Sequence, residues 1–177
     1  MDSLKQRILT EGKNLGNGIL KVDSFINHQV DPKLMDECGR ELARRFATLG
    51  ATRVLTALHL GLPIVYARKT KPITMPNEVF LTLAPSHTKG RTVELIVSPE
   101  YLGRGERVLI VDDFLATGQT ILGLARLAQV AGAAIVGVGA VIEKTFEGGR
   151  AALHPLNVPV EALAIITDMS EGRIVFA

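Results

Sequence analysis

The stretch RVLIVDDFLATGQT, residues 107–120, decides the fold. Its apolar run Val108–Val111 is unbroken, which is typical of a parallel strand that is covered on both faces. Two acids and a short Thr-Gly loop follow, and residues 120–131 then have the apolar spacing of a helix. A second continuous apolar run occupies residues 135–142. Strand, helix and strand in this order predict a parallel βαβ unit.

The flanking sequence supplies further elements of an α/β fold. Asp31-Pro32 predicts a helix start, because Asp can cap the first turn and Pro suits the first helical position. That helix should run until Gly50, with a small helix and a short strand before it. Additional strands are predicted at 53–56, 62–67, 93–97, 160–165 and 174–176.

One connection is too short for the expected sheet. Only residues 57–61 separate the strands predicted at 53–56 and 62–67. Parallel neighbours need a crossover of about a dozen residues, usually with a helix. We therefore expect either a hairpin here or residues missing after Thr56, because residues 57–61 resemble the end of a helix without its beginning.

Composition indicates one folded domain and excludes several classes of function. The chain has 177 residues, of which 47% are apolar and 21% charged, so it can bury a core. A net charge of +2 gives no broad surface for nucleic acid or a membrane. The single Cys38 has neither a disulfide partner nor a CxxC spacing, and no apolar run reaches about 18 residues. We expect a reduced, cytoplasmic protein.

The polar residues after the central strand suit a sugar phosphate. Gly118 allows close approach of the backbone, and a loop that leads into a helix offers N–H groups without carbonyl partners. Thr117 and Thr120 add hydroxyl donors. Asp112 and Asp113, when ionised, suit the vicinal hydroxyls of a ribose or an Mg²⁺ ion. The alternative is that these residues only cap a turn and begin a helix.

At this point the sequence resembles a known family. Residues 108–120 look like the phosphoribosyl pyrophosphate signature of type I phosphoribosyltransferases: four apolar residues, two acids and a Thr-Gly loop. The resemblance extends over nearly the whole chain to bacterial members that use xanthine, through residues 20–32, 67–69 and 141–146. It implies a purine salvage reaction, in which xanthine and phosphoribosyl pyrophosphate give xanthosine 5′-monophosphate and pyrophosphate.

The resemblance also implies residue roles. Asp112 and Asp113 would be catalytic, holding the ribose hydroxyls and stabilising the cationic sugar, while Mg²⁺ would be bound through pyrophosphate rather than by a protein cage. The 5-phosphate would bind Ala116, Thr117, Gly118, Gln119 and Thr120. The pyrophosphate would bind Arg68 and Lys69 of this or a neighbouring subunit. The xanthine site would comprise Leu20, Asn27 and Lys144.

The implied architecture is a central, mostly parallel sheet flanked by helices, one domain over residues 1–177. A small hood over the base would come from about residues 1–30 and 145–177, and the protein would be a homodimer. Asn27 as a turn residue and Lys144 as a solvated partner of Glu143 are the structural alternatives.

Three other functions remain open from the sequence. The enzyme could prefer guanine or hypoxanthine, or the chain could bind phosphoribosyl pyrophosphate without turning it over. A phospho-receiver domain also has paired acids at a strand end, but near its N-terminus. Family members carry a Ser/Gly-containing pyrophosphate loop after the strand at 53–56, and about a dozen such residues are lacking here. Either the loop is truly lost, which affects pyrophosphate binding, or the sequence omits it, and we favour an omission.

Overall fold

The structure, a computed structural model, describes residues 1–55, 63–86 and 91–177. Its α-helices within these ranges are α1 (Asp2–Glu11), α2 (Pro32–Arg45), α3 (Gln119–Val130) and α4 (Gly149–Ala152). Its strands are β1 (Lys13–Asn14), β2 (Leu20–Lys21), β3 (Arg53–Leu55), β4 (Ile64–Val65), β5 (Phe80–Ser86), β6 (Arg91–Val97), β7 (Arg107–Leu115), β8 (Ala134–Lys144), β9 (Val160–Asp168) and β10 (Val175–Phe176).

The central sheet has the order β10-β9-β8-β7-β3-β4. Five neighbouring strands, from β9 to β4, run parallel, and only β10 is antiparallel to its neighbour. Strand β7, which contains the apolar run, pairs with β3 on one side and with β8 on the other. The predicted α/β fold with a central, mostly parallel sheet is therefore confirmed.

Helices cover both faces of β7, which explains its unbroken apolar run. Leu109 and Val111 are buried in one core cluster with residues of α1 and α2. Val108 and Ile110 are buried in a second cluster with residues of α3. Successive side chains of a strand point to opposite faces, so a strand between two helical layers needs apolar residues at every position.

The predicted start of α2 is confirmed. The Asp31 carboxylate accepts hydrogen bonds from the Lys33 N–H at 3.0 Å and the Leu34 N–H at 3.1 Å, and Pro32 is the first helical residue. These bonds satisfy donors that the helix itself leaves unpaired. They fix the chain direction after the N-terminal segment. None of the helices in the described ranges is both long and apolar enough to cross a membrane.

The N-terminal segment packs against the C-terminal part of the chain. The Met1 amino group donates to the Leu163 carbonyl at 2.7 Å, and the Asn14 side chain donates to the Met169 carbonyl at 2.7 Å. The expected hood also included residues 160–168, but the structure places them in the central sheet as β9. The reason is their continuous parallel pairing with β8.

The short connection joins parallel strands. Val54 pairs with Ile64 and Leu55 with Val65 in a parallel register, so the hairpin alternative is wrong. Eight residues, 56–63, lie between β3 and β4. The Thr56–Ala57 junction and the predicted helix end at 57–61 lie outside the described residues.

The strand predicted at 93–97 is part of β6, but it does not join the central sheet. It pairs with β5 as an antiparallel two-stranded sheet. This sheet packs against α3, where the Arg126 guanidinium donates to the Leu83 carbonyl at 2.8 Å. The pair therefore extends the helical layer on the α3 side.

Candidate active site

A loop between β7 and α3 carries the residues predicted to bind phosphate. Gly118 has φ +77° and is the N-cap of α3, a left-handed conformation that favours glycine. The Leu122 N–H donates to the Gly118 carbonyl at 2.9 Å, so the N–H groups of the preceding residues have no helical acceptor. The side chains of Thr117, Gln119 and Thr120 make no hydrogen bond to another described residue. The loop thus presents several free donors together.

Asp112 and Asp113 lie within β7 rather than after its end. The strand continues to Leu115, because Phe114 pairs with Ile142 of β8. The Asp112 Oδ1 accepts a hydrogen bond from the Asp113 N–H at 3.1 Å, and the Asp113 Oδ1 accepts one from the Phe114 N–H at 3.0 Å. Both acids are partly buried and stand a few residues before the loop.

The environment of Asp112 disfavours its charge. Burial raises the pKa of the Asp112 carboxyl well above its usual range, and the neighbouring Asp113 raises it further. The Asp113 N–H and the positive charge of Lys69 act in the opposite direction. Lys69 of the same chain is therefore close enough to influence Asp112.

The surroundings of Arg68 differ from those of Lys69, which influences Asp112. Its backbone forms a bridge with Ile96, with both N–H to carbonyl distances at 2.8 Å. Its side chain is exposed and lines an open depression of about 420 Å³ beside β4, together with Tyr66 and Tyr101. Of the two predicted pyrophosphate residues, the electrostatics link only Lys69 to Asp112.

Lys144 ends β8, next to the strand that holds the acids. It is only 6% exposed, and its ammonium donates to the Gly18 carbonyl at 2.9 Å and pairs with the Glu147 carboxylate. The same ammonium lies 5.7 Å from the centroid of the Phe114 ring. Lys144 is thus a buried cation beside the residue that follows Asp113, and not a solvated partner of Glu143.

Leu20 and Asn27 belong to the N-terminal segment. Leu20 is buried in the core cluster of α1 and α2. Asn27 is exposed and ends a five-residue π-helix, Asp23–Asn27, a rare conformation that is frequent at functional sites. Among the described residues, Lys144 has no hydrogen bond to Asn27. The link between this segment and Lys144 is the Gly18 carbonyl.

Sequence reasoning missed two residues of this region. Glu147 pairs with Lys144, and Gly149 packs against the backbone of the 116–118 loop. The pair Gly148-Gly149, shortly after a predicted strand, was a visible signal of close backbone approach. The partner of Glu147 could not be identified from sequence, because the pair depends on how the chain turns after β8.

Comparison with known proteins identifies the family. Residues 40–175 match the phosphoribosyl transferase domain. The chain belongs to the phosphoribosyltransferase family. Curated relatives named xanthine phosphoribosyltransferase are similar along nearly the full length: one from Deinococcus deserti is 46% identical over 97% of this chain and 95% of its own. One from Oceanobacillus iheyensis is 43% identical, covering 99% and 97%.

Solved structures of phosphoribosyltransferases have the same fold. An adenine phosphoribosyltransferase from Rhodothermus marinus is 27% identical, with a TM-score of 0.71 over 93% of this chain and 97% of the other. A Giardia lamblia enzyme solved with 9-deazaadenine has a TM-score of 0.75 at 19% identity, covering 93% and 98%, and supports the fold alone. Membership of this family rules out the phospho-receiver alternative.

The relatives are longer within the matched region. The match to the Oceanobacillus iheyensis protein spans 188 residues, whereas this chain has 177, so at least 11 matched positions have no residue here. The sequence alone indicated a shortage of about a dozen residues, judged from the connection after β3. The two observations agree in size.

Proposed function

We propose that this phosphoribosyltransferase acts in purine salvage as a xanthine phosphoribosyltransferase. It would convert xanthine and phosphoribosyl pyrophosphate to xanthosine 5′-monophosphate and pyrophosphate. The observation that carries the proposal is the placement of three groups at one edge of the sheet: the 116–120 loop, the two acids of β7 and the buried Lys144 of β8. The names of the full-length relatives support the choice of xanthine.

The loop and the acids bind different parts of the sugar phosphate. Backbone N–H groups of residues 116–120 and the hydroxyls of Thr117 and Thr120 donate to the 5-phosphate. Asp112 and Asp113 accept hydrogen bonds from the ribose hydroxyls. Their negative charge stabilises the oxocarbenium-like sugar while the bond to pyrophosphate breaks. The purine nitrogen then bonds to the anomeric carbon and gives up its proton to the departing pyrophosphate. No covalent enzyme intermediate is needed.

Recognition of the base is assigned to Leu20, Asn27 and Lys144. Lys144 donates to an electron-rich oxo group or ring nitrogen, and Asn27 offers both a donor and an acceptor to an oxo group beside a ring N–H. Such pairing discriminates strongly, because a base without the matching group leaves a buried polar atom unpaired. The position of Lys144 supports this role, because its ammonium lies 5.7 Å from the centroid of the Phe114 ring, and Phe114 directly follows Asp113.

Mg²⁺ would accompany pyrophosphate. Asp112 and Asp113 provide oxygen donors of the kind that Mg²⁺ prefers, and they lie beside the proposed phosphate loop, so the residues present fit an ion that arrives on the substrate. Bound there, the ion offsets the charge of the leaving group. Lys69 and Arg68 would add positive charge for the same pyrophosphate.

We further propose a cytoplasmic homodimer. The lone Cys38 is buried, and burial raises its pKa to about 12, so the thiol is unreactive at neutral pH. The homodimer follows from the family resemblance. Equilibrium sedimentation at several protein concentrations tests it, and a single monomer mass would contradict it.

A direct assay tests the function. Labelled xanthine incubated with phosphoribosyl pyrophosphate and Mg²⁺ should give labelled xanthosine 5′-monophosphate and pyrophosphate. Unlabelled guanine and hypoxanthine should compete only at concentrations well above that of xanthine. Stronger competition by either would assign the enzyme to the other base.

Lys69→Met is expected to move the acid limb of the kcat/KM profile for phosphoribosyl pyrophosphate to higher pH. Lys69 lowers the pKa of Asp112, so its removal lets that carboxyl keep its proton to higher pH. The value of kcat/KM at neutral pH should also fall about tenfold, because a cation facing pyrophosphate is lost. Lys71→Met is the matched control, since Lys71 is exposed and donates to the Asn77 carbonyl. An unmoved acid limb would contradict the link between Lys69 and Asp112.

Lys144→Ala is expected to raise the KM for xanthine about 10- to 100-fold and the KM for phosphoribosyl pyrophosphate by a much smaller factor. The loss of a buried donor leaves the oxo group of the base unpaired. Steady-state kinetics with each substrate varied in turn measure the split.

Two further variants interpret the Lys144 result. The double change Lys144→Met with Glu147→Gln removes both charges of this ion pair together, so it separates the loss of a base contact from the loss of the pair. Lys21→Ala is the control. Lys21 is half-exposed and lies in the N-terminal segment that contacts Lys144 through the Gly18 carbonyl. An equal rise in both KM values for the double variant would argue against a base contact.

A second candidate function is favoured by the missing residues. A chain that lacks a pyrophosphate loop could bind phosphoribosyl pyrophosphate and turn it over slowly or not at all. The parallel pairing of β3 and β4 across only eight residues supports a shortage after β3. A chimera that carries the Oceanobacillus iheyensis segment between these strands tests it. If the missing loop limits turnover, the parent chain should bind phosphoribosyl pyrophosphate but turn it over slowly. The chimera should then have a higher kcat.

A further inference from the structure

Gly149 contacts the backbone of the phosphate loop. A Cβ built at Gly149 would lie 2.2 Å from the Ala116 carbonyl oxygen and 2.7 Å from the Leu115 Cδ1. The contact is close from the other side as well, because a Cβ at Gly118 would lie 3.1 Å from the Gly149 carbonyl oxygen. The two backbones therefore pack directly on each other with no room for a side chain at Gly149.

The segment 144–150 is anchored on both sides of this contact. Before it, Lys144 is held by the Gly18 carbonyl and by Glu147. After it, the Arg150 guanidinium donates to both oxygens of the buried Glu143 carboxylate, at 2.8 Å and 2.5 Å, and to the Val160 carbonyl at 2.8 Å. Gly149 has little freedom to retreat from the loop.

The same segment links the proposed base site to the proposed phosphate site. Lys144, assigned to the base, begins it, and Gly149, near its end, lies against residues 115–118. The distance between Lys144 and Gly149 in the folded chain is set by one short turn, in which Gly148 has φ +76°. A shift of the turn therefore changes the position of the phosphate loop relative to Lys144.

We propose that Gly149 is a positioning residue for the phosphate loop, and that the segment 144–150 sets the spacing between the base site and the phosphate site. This inference rests on the proposed function. Adding a methyl group at Gly149 forces the Ala116 carbonyl, and the loop with it, to move by about 1 Å, a displacement that can cost about 100-fold when it misplaces groups in an active site.

Gly149→Ala is expected to weaken binding of ribose 5-phosphate at least about tenfold, measured by titration calorimetry. The KM for phosphoribosyl pyrophosphate should rise by a similar factor, while the KM for xanthine changes less than about twofold. The matched control is Gly148→Ala, where a Cβ would meet no atom within 4 Å but φ +76° strains any side chain. Both variants should lower Tm, and only Gly149→Ala should lose affinity for ribose 5-phosphate.

Each result separates this inference from the proposed function. Parent chain that neither binds ribose 5-phosphate nor forms nucleotide would refute the proposed function. If Gly149→Ala binds ribose 5-phosphate as tightly as the parent chain does, the inference is refuted and the proposed function is not. If Gly149→Ala does not fold, Arg150→Lys replaces it, since Lys cannot make the two-pronged contact with Glu143 that anchors the segment. About threefold weaker ribose 5-phosphate binding by that variant supports the inference, and unchanged binding overturns it.

Discussion

Asp112→Asn should make the protein more stable at neutral pH while lowering kcat about 100-fold or more. The folded state raises the pKa of Asp112, chiefly through burial, so keeping this carboxylate ionised at neutral pH costs folding free energy. Each unit by which the pKa rises corresponds to about 1.4 kcal/mol. For a domain of this size 1 kcal/mol changes Tm by about 2–4 °C, so thermal unfolding will detect the gain.

The pH dependence provides the internal control for Asp112→Asn. Because the folded pKa lies above the unfolded value, the parent chain pays no ionisation cost below the ordinary Asp pKa of about 3.9. The cost grows as the pH rises from there through the folded pKa. The Tm difference between variant and parent should therefore be small near pH 4 and larger at pH 7. A difference that does not depend on pH would show that Asp112 is not the titrating group.

The loss of turnover in this variant has its own comparison. Asp113→Asn should also lower kcat sharply, because both acids are assigned to the ribose hydroxyls and to the cationic sugar. Either variant should bind ribose 5-phosphate through the unchanged loop. Full turnover in both would place the reaction elsewhere in the molecule.

The central part of the fold could be predicted because its signals are local. The apolar run of β7, the helix that follows it and the Asp31 cap each depend on residues close together in sequence. The end of β7 was less predictable. Asp112 and Asp113 suggested that the strand stops, but its pairing with β8 carries it to Leu115.

Elements fixed by distant contacts could not be predicted. Strand β5 has exposed Leu81 and Leu83 and contains Pro85, a residue that usually argues against a strand, yet it pairs with β6 throughout. The buried Lys144 donates a hydrogen bond to the Gly18 carbonyl, which is 126 positions away in sequence. Gly149 has a neighbour across the site rather than along the chain. No periodicity records such contacts.

Arg150→Met should destabilise the protein by about 3 kcal/mol and lower Tm by about 6–12 °C. Glu143 has a side chain only 1% exposed, and both of its oxygens accept hydrogen bonds from Arg150. Without Arg150 the carboxylate remains buried with no cation opposite it. The Arg150 side chain is 42% exposed, so water can partly replace it after the substitution. The expected loss of stability therefore lies at the low end of the range for broken buried ion pairs.

A matched pair on the surface separates burial from the loss of a salt bridge. Arg40 contacts Asp36 at 2.8 Å, as short as one contact of Arg150, but its side chain is 78% exposed and that of Asp36 is 58% exposed. Arg40→Met should cost at most about 0.5 kcal/mol, because water solvates the remaining carboxylate. The double change Arg150→Met with Glu143→Leu should recover most of the lost stability, since it removes the stranded charge. Equal losses for Arg40→Met and Arg150→Met would mean that the burial of Glu143 carries no energetic weight.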